Sequence, residues 1–152
     1  VGLVFQARDD QLVCPTVLED VAFGPLNLGH PPAAARAIAE RTLARLGLTG
    51  FAERVTHKLS GGEKRLVSLA TVLAMEPEVL LLDEPSNFLD EATTARLVAI
   101  LNDLEQTLVV VSHDRQLRRK VATSELELEG GRLVPYAARC RHAEAPLRDA
   151  AE

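Results

Sequence analysis

Leu59-Ser60-Gly61-Gly62-Glu63, followed one helix-length later by Val79-Leu80-Leu81-Leu82-Asp83-Glu84-Pro85 and Ser86-Asn87-Phe88-Leu89-Asp90, is the stretch that decides the fold. In the first piece Ser60 stands as a helix N-cap, and Glu63, three residues on, completes a capping box. Gly61 and Gly62 leave first-turn N–H groups uncovered by side chains, and the helix dipole adds positive potential there, a combination suited to phosphate. The second piece is a short apolar run ending in two adjacent carboxylates. An apolar strand buried on both faces belongs in a parallel sheet. Acids at its C-terminal end then stand on the rim where α/β folds bind ligands.

Taken singly, these pieces read as an ordinary helix cap and a solvated acid pair. In this order and spacing they resemble the nucleotide-binding subunit of ABC transporters. Leu59 to Glu63 is similar to that family's signature motif, Leu80 to Glu84 to its Walker B strand, and Ser86 to Asp90 to its D-loop. The resemblance implies an α/β, P-loop NTPase-like fold, with a mostly parallel sheet core, a helical subdomain at about 15–75 and a C-terminal hairpin. It also implies ATP and Mg²⁺ as ligands.

The roles the resemblance carries fall on named residues. Asp83 holds Mg²⁺, a hard cation served by oxygen ligands and water. Glu84 orients and polarises the water that attacks the γ-phosphate. Gln6 is the Q-loop glutamine, touching magnesium and the attacking water. His113, at the end of the apolar run Thr107 to Ser112, is the switch histidine that hydrogen-bonds the γ-phosphate. Ser60, Gly61, Gly62 and Glu63 face the nucleotide of a second subunit, and Asp90 closes the D-loop while capping the next helix. Two departures from the family pattern stand out: Leu66 where Arg is common, and Phe88 before Leu89-Asp90.

Working outward, Val1 to Phe5 reads as a strand. Thr16 and Glu19 form a second capping box, so a helix is expected from near Val17 to before Pro25. The segment from Asp9 to Pro25 is similar to the energy-coupling-factor ATPases of cobalt and nickel importers, which lay this region against an integral membrane coupling subunit. Pro32 suits the first turn of a helix spanning Ala33 to Leu46, with Gly47 as its stop. Leu48 to Lys58 is a connector and His57 an ordinary surface residue. The helix after Ser60 runs to about Met75, burying Leu66, Leu69, Ala70 and Leu73 on one face and leaving Lys64 and Arg65 solvated. Helices are expected over Glu91 to Asp103 and from Asp114 to Lys120. Glu125 to Glu129 and Arg132 to Val134 make a hairpin around Gly130-Gly131. The domain covers 1–134, and 135–152 reads as a frayed tail.

Composition bounds the function. The 152 residues are 47% hydrophobic, enough for a core. A net charge of -5 argues against a nucleic-acid partner, and 3% aromatics with no Trp argue against a base-stacking surface. Cys14 and Cys140 lack metal-ligand spacing and read as free thiols. No apolar run has the length of a membrane span, so any membrane association comes through a partner; the resemblance implies a peripheral place on the cytoplasmic side. The phosphate-binding pattern G-x-x-x-x-G-K-[ST] is absent: Lys58, Lys64 and Lys120 are the only lysines, and none follows a glycine.

The chain is thus expected to correspond to the C-terminal two-thirds of such a subunit, to neither bind nor hydrolyse ATP alone, and to be poorly soluble at its unpaired strand edges. In its intact form it is expected to be an ABC-type ATPase, one of a homo- or heterodimeric pair, powering import of cobalt or nickel. The rival readings are a soluble, ribosome-acting ABC ATPase and a non-enzymatic remnant.

Overall fold

The computed structural model describes residues 1–4 and 12–136. Gln6 and the tail from 137 on lie outside the described residues. The chain divides into two units, Val1–Val121 and Ala122–Glu152.

In the first unit three strands form a parallel sheet in the order β1 (Gly2–Val4), β2 (Val79–Asp83), β3 (Thr107–Val111). Val4 sits beside Leu82, and Leu82 beside Val110, so all three strands end on one rim, where Asp83 pairs with Val111. Between β1 and β2 run α1 (Val17–Asn27), α2 (Pro32–Arg45) and α3 (Gly61–Leu73). Then α4 (Glu91–Asn102) links β2 to β3, and α5 (Arg115–Val121) follows β3.

One core joins them. Val4, Leu80 and Leu82 from the sheet meet Leu66, Leu69, Ala70 and Leu73 of α3, with Leu97, Leu101 and Leu117 from α4 and α5. The apolar stripe expected on α3 is therefore buried as read. The approach of α3 to β1 is close: a Cβ at Gly2 would run into the Val72 side chain. The strands are not buried on both faces as expected. Leu3, Val109 and Val111 on the opposite face are exposed, because among the described residues all the helices contribute to the Leu80/Leu82 side.

The helical segment is built on its caps. Thr16 and Glu19 form the predicted reciprocal box at the start of α1. The helix does not stop before Pro25; it runs through it to Asn27. The residue before a proline normally leaves the helical region because its Cβ and N–H meet the proline ring, and here that residue is Gly24, which has no Cβ. Gly24 also lets α1 lie on Met75, 2.6 Å from where a Cβ would stand. Pro32 opens α2 at its first position, and Gly47 ends it with φ +66. The buried stripe of α2 is Ala35, Ala39 and Leu43, continued by Leu46 just past its end, with Ile38 packed against the core. Small residues there let α2 sit close to α1.

The second unit contains the expected hairpin, β4 (Leu126–Glu129) antiparallel to β5 (Arg132–Pro135), turned by Gly130 and Gly131, both at positive φ.

Candidate functional site

The acidic pair leaves the sheet through a sharp bend. Glu84 donates its N–H to the Val111 carbonyl at 2.8 Å, but its φ is +44, a left-handed conformation that a non-glycine residue adopts at a cost of order 1 kcal/mol or more. That bend turns the carboxylate toward the loop after β3. Oε1 lies 2.9 Å from His113 Nδ1 and accepts the His113 N–H at 3.0 Å, while Oε2 accepts the Ser112 hydroxyl at 3.2 Å. Glu84 is largely buried, its side chain 17% exposed, whereas that of His113 is 75% exposed. A carboxylate held on three donors is fixed in direction, and the bond from Nδ1 fixes the imidazole as well.

The support reaches further back. Ser112 Oγ, while donating to Glu84, accepts the Asp114 N–H at 3.1 Å. Asp114 caps α5 through the N–H groups of Gln116 and Leu117, and its other oxygen accepts from Ser86 Oγ at 3.1 Å. Burial acts to raise the Asp114 pKa, but the bonds from Leu117, Gln116 and Ser86 outweigh it and the pKa is lowered. The loop that carries Ser86 is thereby tied to the loop that carries His113. Its tip, Phe88, has φ +60 and is 80% exposed.

A second group gathers at two helix starts. Ser60 accepts the Glu63 N–H at 3.3 Å, and Glu63 accepts the Ser60 N–H at 2.8 Å, the predicted capping box. Arg54 forks onto Glu63 at 2.7 and 3.2 Å and stacks 4.3 Å from the Phe51 ring. The Glu63 carboxyl is held below its usual range, first by Arg54 and then by the Ser60 N–H. Because the folded pKa is depressed, this stabilisation is present above the unfolded-chain value and lost as pH falls through the folded one. Arg54→Met is therefore expected to destabilise at neutral pH, with the difference from wild type shrinking on acidification; urea melts from about pH 7 to about pH 3 check it, and a constant penalty would contradict it. Gly62 packs on the start of α4, where a Cβ would lie 3.0 Å from Thr93 Cγ2. Asp90 caps that helix by accepting the Thr93 N–H at 2.7 Å, a bond that lowers its pKa.

The structure thus brings Glu84 and His113 into contact, places Asp83 on the same rim, and sets Gly62 at the tip of α3 against α4, whose cap is Asp90. Comparison with known proteins decides the family. The sequence model described as ABC transporter matches residues 1–87, more than half of the 152-residue chain. The chain belongs to the ABC transporter family. A putative ABC transporter ATP-binding protein of Nitratidesulfovibrio vulgaris is 56% identical over 131 residues, covering 86% of this chain and 48% of the relative. The cobalt import ATP-binding protein CbiO of Rhodobacter capsulatus is 49% identical, covering 88% of this chain and 49% of the relative. Among solved structures, cbiO1 of Clostridium perfringens, described as part of the ABC transporter complex cbiONQ, superposes with a TM-score of 0.79 at 34% identity, covering 88% of this chain and 55% of that one. The chain spans about half the length of these relatives.

Within this ABC domain two residues went unread in the sequence. Arg65, expected in solvent, is 3% exposed and donates to the carbonyls of Asp83 at 2.7 Å and Pro85 at 3.2 Å. An arginine at that helix position buries one turn beyond the cap, where the end of β2 passes. Its partners lie 18 and 20 positions away, so no local signal marked it. Asp20, 3% exposed, accepts the N–H groups of Val13 and Cys14 at 2.8 and 2.7 Å. Its signal was an acid beyond the capping Glu19, directly before the apolar Val21 and Ala22.

Proposed function

We propose that this chain is the catalytic-rim and signature-helix portion of the ATP-binding subunit of an energy-coupling-factor type ABC transporter that hydrolyses ATP to drive import of a metal ion such as cobalt or nickel. The observation that carries the reading is the Glu84 carboxylate, part-buried at the sheet rim and aimed by Ser112 and His113. A fixed, partly buried carboxylate beside an exposed imidazole suits a group that aligns water against a phosphate, with His113 offering a donor to the developing charge. Ser60, Gly61, Gly62, Glu63 and Asp90 serve the nucleotide of a second ATPase subunit. The bonds of Glu63 to Arg54 and Ser60 support a part in which it fixes the helix tip.

Asp83, with Gln6, would hold Mg²⁺. Among the described residues no group of three or more His, Cys, Asp or Glu is placed to hold a metal ion. One rim carboxylate completed by water and phosphate oxygens suits Mg²⁺, which keeps several waters. Bound there, the cation supplies neutralisation of phosphate charge. This chain's part is to fix Asp83 and Glu84 side by side.

The partners are a second ATPase subunit and an integral membrane coupling subunit. No described helix is long and apolar enough to cross a membrane, and attachment on the cytoplasmic side through that subunit supplies the membrane link. Phe23, Leu26 and Leu28, exposed around the end of α1, give the coupling subunit an apolar landing. The metal assignment draws on the likeness to the cobalt import protein. The test is capture of the tagged full-length protein from membranes together with uptake of labelled Co²⁺ and Ni²⁺. Co-purification of a membrane protein and loss of uptake on deleting the gene are expected. Recovery free of membrane protein, with uptake unchanged, would overturn the reading.

A further inference from the structure

We propose that Arg65 is a positioning residue that binds the end of β2 to the tip of α3, so that the Ser60–Gly62 turn and the Asp83–Glu84 pair move as one body. Its guanidinium donates Nη2 to the Asp83 carbonyl at 2.7 Å and Nε to the Pro85 carbonyl at 3.2 Å. Those two carbonyls flank Glu84, the residue held at φ +44. One side chain therefore grips the backbone on both sides of the strained residue that carries the rim carboxylate.

The chemistry of the grip is specific. Taking a guanidinium to 3% exposure costs free energy that is recovered only when its donors are well bonded. Both of these acceptors are main-chain carbonyls, so the arrangement fixes backbone geometry. A planar fork holds two acceptors at a set spacing, which an ammonium, a single point of charge, does not. A second link is independent of Arg65: Gly62 lies against Thr93, at the start of the helix that follows the Ser86–Asp90 loop. Displacement of the α3 tip is thus passed on to both ends of that loop. In a dimer whose signature tip meets the partner's nucleotide, the tip and the water-aligning carboxylate of one subunit respond together.

The activity arm of the test rests on the proposed ATPase function, and the exchange arm does not. Arg65→Met keeps an apolar side chain of similar length, and Arg65→Lys keeps the charge. In the full-length protein, amide exchange is followed at Asn87, which bonds the Glu84 carbonyl, and at His113, which bonds the Glu84 carboxylate. Leu82 and Val110 in the β-ladder serve as internal references. The Met variant is expected to exchange about tenfold faster or more at Asn87 and His113 with the ladder unchanged. Its kcat for ATP is expected to fall about tenfold or more with KM within about twofold, a loss of positioning rather than of binding. Lys should recover part of both. Loop exchange equal to wild type, or protection lost evenly over the whole chain, overturns the proposal. If Met does not fold, unchanged loop exchange in the Lys variant overturns it alone. If wild type shows no turnover, the ATPase reading fails and exchange still decides Arg65.

Discussion

Glu84→Gln in the full-length protein is expected to lower ATP turnover by about 100-fold or more while leaving nucleotide affinity and the melting temperature close to wild type, on the proposed ATPase function. The substitution is nearly isosteric. A Gln carbonyl oxygen still accepts the Ser112 hydroxyl or the His113 N–H, so the rim network loses little of its geometry. What it loses is the negative charge and basicity that the proposed water-aligning role uses, and the charge partner of His113 Nδ1 at 2.9 Å. Those matter only as the transition state forms, so the loss belongs in kcat. His113→Ala removes the Nδ1 contact to Glu84, yet leaves the carboxylate on the Ser112 hydroxyl and on the backbone N–H at 113, and should cost less. Steady-state turnover with a parallel nucleotide titration checks both. Turnover of the Gln variant within tenfold of wild type would remove Glu84 from the central role.

The parts of the site that were legible in the sequence are those set by local rules. Ser60 with Glu63, Thr16 with Glu19, and Asp90 ahead of Glu91 are caps whose partners lie three residues away, and each forms as read. The rim placement of Asp83 and Glu84 followed from an apolar run of strand length. Long-range choices were not legible. Nothing near Arg65 in sequence announces carbonyls at Asp83 and Pro85, 18 and 20 positions away, so a charge in a helix was read as a solvated one. Pro25 looked like a stop because its signal is normally carried by a preceding Cβ, which Gly24 lacks. The strand faces were read as alike, yet Leu80 and Leu82 are buried while Val109 and Val111 are exposed. Which face receives helices is decided by the connections, which strand composition does not encode. The Ser112–Glu84 bond likewise depends on the register between β2 and β3.

Asp20→Ala is expected to destabilise the fold by roughly 3 kcal/mol. Both N–H groups of the Val13–Cys14 turn end on one oxygen of Asp20, and Thr56 Oγ1 bonds the Cys14 carbonyl at 2.7 Å from the other side. This staple fixes where the Val13–Cys14 segment enters α1. Alanine leaves two donors without their acceptor in a part-buried place; Asn, whose carbonyl oxygen can take both, should cost much less. The pH dependence separates charge from bonding. Burial raises the Asp20 pKa against the opposing pull of the Cys14 and Val13 N–H bonds. The folded state therefore holds the proton more tightly than the unfolded chain. Stability from this group is complete below the unfolded carboxylate value of about 3.9 and is lost as pH rises through the folded pKa, the reverse of Glu63. Because both bonds fall on Oδ1, a proton on Oδ2 leaves them intact. Asn, fixed in a neutral form, should thus gain on wild type as pH rises across that interval. With no Trp in the chain, far-UV circular dichroism during urea unfolding reads the difference. An Asn variant as damaged as Ala would show that the charge of Asp20, and not its geometry, holds the turn, and a wild-type-minus-Asn difference flat in pH would show that the folded state does not hold the proton more tightly than the unfolded chain.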